Sequence, residues 1–289
     1  PLAENYGVVA DHPELININF VYQVNNNPDW LHINSVDYDP ELDQILVSVP
    51  FFNEVWIIDH STTTEEAAGR TGGLQGKGGD LLYRWGNPRA YGRGTVDDQQ
   101  LFFNHGALWI GPGLPDDDPD RGNIMVFNNR VQPGVSAADI FAPPVNENGA
   151  YELLEGAAYG PLSRSSRYAA EVPTDFSSPG QGSAQKLPND MVLATSGRQG
   201  WALQLRPDST VAWSYVVPMQ DGQPVAQGTE IVDRTIIFQA EWLLPDDDRL
   251  EGRTLEPQGY LELDPNTGFC NITTTIDETL GGIAPSNVP

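Results

Sequence analysis

The chain reads as short runs in which apolar and polar positions alternate or β-branched residues cluster, broken at brief intervals by glycine, proline and aspartate. A period of two is the signature of strands, and no window sustains the 3.6-residue apolar period of an amphipathic helix. The nearest helical candidates, around residues 64–68 and 137–140, are a turn or two long. From Trp30 onward the strand-like runs group into units. The first holds a strand opened by His32, then QILVSV (44–49), EVWIID (54–59) and DLLYRW (80–85), with a Gly/Thr-rich surface excursion at 61–79. The second holds a strand opened by His105 and one at 123–127, followed by a long irregular insert at 131–171. The third runs from 183 through 191–195 and 201–205 to 210–216, where TVAWSYV echoes DLLYRWG by placing a tryptophan on an alternating outer strand. A fourth, less regular unit covers 228–238, 240–244 and 259–263. Residues 1–28 read as an N-terminal linker or edge segment with one strand-like run at 16–24, and residues 29–289 as a single β domain.

Units of this kind, recurring at roughly 50 to 75 residues, predict an all-β fold: a β-propeller or a related toroidal array of sheets. Four units sit at the low end of the ~4–8 blades of known propellers. Either they close as a small or irregular ring, or blades upstream of Pro1 are missing, and the start at Pro1 reads as processing or as part of a longer product. Equivalent positions of a radial array converge on its axis. His32 in HINSVDYDPELDQILVS (32–48) and His105 in HGALWIGPGLPDDDPDRGNIMVF (105–127) are thereby predicted to bring two imidazoles into one pocket, while GQGSAQKLPNDMVLATSG (180–197) keeps the scaffold without the histidine.

Composition narrows the partners. Against 15 basic side chains stand 40 acidic ones, a net charge of −25 that repels phosphate backbones and anionic lipid and excludes nucleic acid as a partner. The acidity suits solubility in a salty or extracellular setting or, alternatively, a Ca²⁺-rich exterior. PDDDPD (115–120) and the acidic run at 246–248 are dense in oxygen, yet lack the alternating spacing of a calcium loop and read as solvated turns. GRTGGLQGKGGD (69–80) lacks the Gly-Lys-Ser/Thr ending of a phosphate loop and reads as flexible chain. The single cysteine, Cys270, rules out an intrachain disulfide and reads as a small buried hydrophobe in the last strand pair. Asn271 opens a glycosylation triplet. No run approaches the ~18 apolar residues of a membrane span, and no signal peptide is evident. Trp56, Trp85, Trp201 and Trp213 are read as packing anchors between sheets.

Four stretches carry a resemblance: DWLHINSVDYDPELDQILVSV (29–49), EVWIIDHSTTTEEAAG (54–69), GGDLLYRWGNPRAYGRGT (78–95) and GNIMVFNNR (122–130). They resemble the bacterial arylsulfotransferase family, and the similarity extends through QKLPND and the Trp213 strand, over roughly residues 5–245. The resemblance implies a propeller of about six blades. It also implies transfer of a sulfuryl group from an aryl sulfate to a phenol, by a ping-pong route through a sulfated histidine, without cofactor or metal. By position it assigns catalytic roles to His32, His105 and Arg130 and supporting donor roles to Asn34 and Asn128. A neutral imidazole is a nucleophile near neutral pH, and a guanidinium matches the fork of an oxyanion. The resemblance further implies aryl sulfates and phenols as small-molecule partners, a periplasmic or secreted location, and a protein partner or second copy if a sheet edge lies open. The chain departs from the family in two places. Where relatives read His-Asp-Ala-His it has His105-Gly106-Ala107-Leu108, and no histidine follows His105, although the family's nucleophile lies downstream. His12 and His60 match no catalytic position. The alternative expectation is therefore a catalytically inactive secreted propeller serving as a structural or binding module.

Overall fold

In the computed structural model the described residues are 7–20, 28–111, 114–146, 149–173, 176–229, 235–243, 247–256, 259, 261 and 263–264. They form three four-stranded antiparallel sheets, each an up-and-down meander in chain order. The first contains β1 (Ser35–Asp39), β2 (Gln44–Val49), β3 (Glu54–Asp59) and β4 (Tyr83–Trp85). The second contains β5 (His105–Trp109), β6 (Ile124–Gln132), β7 (Val135–Phe141) and β8 (Ser166–Tyr168). The third contains β9 (Ser183–Lys186), β10 (Val192–Ser196), β11 (Trp201–Leu205) and β12 (Val211–Val216). A hairpin of β13 (Met219–Gln220) and β14 (Gln223–Pro224) follows. Of the two helical candidates, Thr64–Ala67 forms a single turn, α1, closed by a capping box between Thr63 and Glu66. The other, 137–140, lies inside β7.

The sheets stack face to face because their middle strands are apolar on both sides. Along β6, Ile124 and Val126 join the core shared with the first sheet, while Met125 and Phe127 join the core shared with the third. Trp85 of β4 stacks on Phe141 of β7 with ring centroids 3.9 Å apart, and Phe127 meets Phe176 edge-on at 5.4 Å. Alanines 137 and 138 of β7 are fully buried, which lets the second sheet accept large neighbours on both faces.

Where it is described, the insert expected at 131–171 forms the end of β6, all of β7 and β8, and a crossing segment between them. That segment covers the first sheet. The Tyr151 hydroxyl donates to Gln44 Oε1 at 2.6 Å, Tyr83 to Gly160 O at 2.6 Å, and the Trp85 indole to Pro161 O at 2.7 Å. Residues 7–20, read as linker or edge, dock on the same sheet. Buried Arg84 donates to Pro13 O and Leu15 O, Leu81 N to Glu14 O, and Phe20 lies 5.7 Å from Phe52. The run at 16–24 forms turns where it is described, and 21–24 lie outside the described residues.

The fourth unit contributes no four-stranded sheet among the described residues. Residues 235–243 nevertheless lie against β9 and β10: Ala240 N donates to Thr195 Oγ1 of β10, while Trp242 N and O bond the Gln185 carboxamide of β9. Trp56 and Trp85 are buried anchors and Trp201 is half-buried, but Trp213 is 46% exposed and stacks on Tyr215 along the open edge strand β12. Cys270, Asn271 and Asp246 lie outside the described residues.

Candidate functional site

The first strands β1, β5 and β9 lie side by side, with β5 against β1 and β9 against β5. Each is preceded by a non-glycine residue in left-handed backbone: His32 (φ 55°), Phe103 (φ 57°) and Gln181 (φ 64°). Such a conformation is uncommon for these residue types and turns the chain sharply into the strand. His32 lies three residues before β1, whereas His105 is the first residue of β5 and pairs with Phe127. The two histidines therefore do not occupy equivalent positions. Ser35, which opens β1 opposite Ser48, is the counterpart of His105, and Phe103 is the left-handed residue on its own strand.

His105 is buried, 7% exposed, and both of its ring nitrogens are engaged. Nδ1 faces the Asn129 side-chain oxygen at 2.8 Å and Phe103 O at 3.2 Å, and Nε2 accepts the Gln181 backbone N–H at 3.1 Å. Two acceptors on one side and a donor on the other assign the neutral tautomer with its proton on Nδ1. Burial lowers the His105 pKa below the ordinary imidazole value; Asn129 and Phe103 O raise it, and the proximity of His32 and Arg130 lowers it further. Asn129 extends the network, donating through Nδ2 to Ser178 O and Gln181 O at 2.7 and 2.6 Å.

His32 is exposed and differently placed. Its Nδ1 and its backbone N both bond the Asp29 carboxylate. Its ring stacks on Phe51 at 5.0 Å and lies 6.4 Å from Phe103, whose ring is in turn 5.5 Å from that of His105. The Arg130 guanidinium sits 3.8 Å above the Phe103 ring and donates from Nε to Pro179 O at 2.8 Å. His32, Arg130 and His105 are thus gathered around one aromatic side chain, with Phe103 in contact with all three.

The two predicted supporting asparagines are committed elsewhere. Asn34 Nδ2 donates to Asn104 O at 2.9 Å. Asn128, fully buried, accepts Phe102 N–H and donates to Gln100 O and to Asp139, which also holds Arg167 in a bidentate pair. Asn34, His105, Asn129 and Arg130 all reach from one sheet or its leading loop to the backbone of the next. The sequence pattern gives no role to Asn129, Phe103 or Gln181. The signal for the last two is their offset just ahead of a first strand.

Polar atoms also lie unsatisfied here. Asn104 Oδ1, Gln181 Oε1 and Ser183 Oγ are buried without a hydrogen-bond partner among the described residues. Each belongs to the segment opening β5 or β9. Buried polar atoms of this kind are met by water or ligand. No group of three His, Cys, Asp or Glu among the described residues is arranged to hold a metal ion. In the acidic turn, Asp120 receives the Lys186 ammonium at 2.7 Å, and Asp118 accepts Asp120 N–H. No described helix is long and apolar enough to cross a membrane.

No protein-family model matches the chain, and no curated protein matches it. Among solved structures it is similar to a protein of unknown function from Bacteroides caccae, at 15% identity and a TM-score of 0.35 over 65% of this chain and 46% of that one. It is also similar to virginiamycin B lyase from Staphylococcus aureus, at 9% identity and a TM-score of 0.31 over 68% of this chain and 45% of that one. The chain spans just under half the length of each.

Proposed function

We propose that this chain is a propeller-type β module of arylsulfotransferase ancestry, periplasmic or secreted, that works by binding rather than by sulfuryl transfer. The observation that carries the reading is the Gln181 N–H on His105 Nε2. A nucleophilic imidazole needs that lone pair, and here it fastens the second sheet to the third. The face-to-face sheets, and residues 235–243 lying against β9 and β10 as β9 lies on β5, support the propeller reading.

One observation favours a second reading, in which transfer survives at His32. Asp29 holds Nδ1, the arrangement that orients an imidazole with its other nitrogen outward, and Arg130 lies across Phe103 from it. In that case His32 Nε2 would attack sulfur as the S–O(aryl) bond breaks and phenolate leaves. The acceptor phenol, giving its proton to solvent, would then break the N–S bond. The test is a time course with an aryl sulfate and a phenol acceptor, followed by phenolate release and intact mass, for the parent chain and His32→Ala. The binding reading expects neither release nor adduct. Release with a transient sulfuryl adduct that requires His32 establishes the second reading instead.

A further inference from the structure

A cavity of about 430 Å³ opens beside the first sheet, within the size range of small-molecule sites. Its lining is unusual for so acidic a chain: four carboxamides (Asn19, Asn53, Asn87, Gln99), two rings (Phe20, Phe51), one guanidinium (Arg89) and no carboxylate. The chemistry of three of the amides can be followed atom by atom. Asn53 Oδ1 accepts Phe103 N–H at 2.7 Å, which leaves its Nδ2 as a donor. Gln99 Nε2 donates to Leu101 O at 2.7 Å, which leaves its Oε1 as an acceptor. Asn87 is 1% exposed and spends Nδ2 on Phe52 O at 2.9 Å, and its buried Oδ1 has no partner among the described residues. Arg89 is exposed and forms no ion pair among the described residues.

Donors and acceptors mixed on one wall suit hydroxyl groups, which serve as both. Phenyl faces suit the C–H side of a sugar ring, and an unpaired guanidinium in an anion-poor lining suits a carboxylate. We propose that this cavity binds a sugar acid, its hydroxyls on Asn53, Asn87 and Gln99 and its carboxylate on Arg89. The cavity adjoins the His32 cluster through Phe51 and Asn53, but its Arg89, Asn87 and Gln99 lie outside that cluster, and the proposal holds whichever reading of His32 is correct.

The experiment is calorimetric titration of the full chain with sodium glucuronate, glucose and sodium sulfate. Variants Arg89→Gln and Gln99→Ala, both of exposed or half-exposed residues, are run beside Arg121→Gln as a control elsewhere on the surface. Saturable glucuronate binding is expected, with glucose weaker by about tenfold or more, the scale of one charge-assisted hydrogen bond. Arg89→Gln should bring glucuronate down to the level of glucose, Gln99→Ala should weaken both sugars, and Arg121→Gln should change neither. The proposal is overturned by an absence of saturable glucuronate heat, by glucuronate binding that neither cavity variant alters, or by sulfate binding as tightly as glucuronate.

Discussion

At the scale of single residues, His105 decides how this molecule is read. The residue types that surround a sulfuryl group, imidazole, guanidinium and carboxamide, are also those that stitch backbone to backbone, so a sequence carries the set without revealing where the lone pairs point. His105 was visible as special because it opens a repeat, but the N–H of Gln181 lies 76 positions along the chain. The apparent match with His32 failed for a local reason: His32 takes the left-handed turn before its strand, and on the next strand Phe103 takes that place. His105→Gln should cost about 1–3 kcal/mol, because Asn129 and the Gln181 N–H lose well-placed partners. The sign of its pH dependence follows from burial. With the folded pKa below the unfolded value, the unfolded chain binds the proton first, so this contribution is complete above the ordinary imidazole pKa and is lost as pH falls toward the folded value. Urea midpoints at about pH 7.5 and about pH 5.5 should therefore differ more for the parent chain than for His105→Gln. An equal difference in both would remove His105 from the acid response.

At the scale of elements, strands with clear alternation were legible: β2, β3, β10, β11 and β12 fall where the pattern puts them. β7 was not, because VSAADIF combines small residues with a central aspartate and has little of the β-branched and aromatic signal. Its Asp139 is tolerated at 1% exposure through Arg167, Arg164 and Asn128, partners no local pattern announces. The docking of residues 7–20 was equally hidden, since it depends on an ion pair buried within the first sheet. Glu54 on β3 and Arg84 on β4 are both fully buried. Burial pushes the Glu54 carboxyl upward, and the Arg84 guanidinium and the Trp56 indole N–H pull it back. The same guanidinium packs 4.5 Å over the Tyr91 ring and holds Pro13 O and Leu15 O. Glu54→Gln leaves that cation buried without its counter-charge and should cost about 3–5 kcal/mol in denaturant unfolding, together with early proteolytic loss of the N-terminal segment. A variant as stable as the parent would show that the pair does not brace this region.

At the scale of the whole molecule, the sheets form a row, and position in the row sets local stability. The second sheet has a sheet packed on each face, the first is flanked by residues 7–20 and by the described residues of the 142–165 crossing, and the third ends in an exposed edge strand bearing Trp213 and Tyr215. Hydrogen exchange should therefore be slowest in β6 and β7 and fastest in β12; uniform protection across the three sheets would contradict that gradient.

Many joints of that row share a direction, from a side chain of one sheet to the main chain of the next. Asn34 reaches Asn104 O, Ser35 and Asp37 take Ala107 N–H and Trp109 N–H, Asn129 reaches Ser178 O and Gln181 O, Arg130 reaches Pro179 O, and Thr195 takes Ala240 N–H. On the receiving side every one of these partners is main chain. Peptide groups are the same whatever side chain they carry. At these joints each sheet recognises its successor through main chain, while the Lys186–Asp120 ion pair and the bond from Asn104 Nδ2 to Ser48 Oγ add contacts between particular side chains. Exposed Pro179 is free to drift as long as the backbone keeps its path, whereas Asn104, Ala107, Trp109 and Ser178 are also held by burial and the senders by their side-chain bonds. In such a fold, substitutions accumulate unevenly across each seam, and a pocket at one repeat can be rebuilt without disturbing how the repeats are held together.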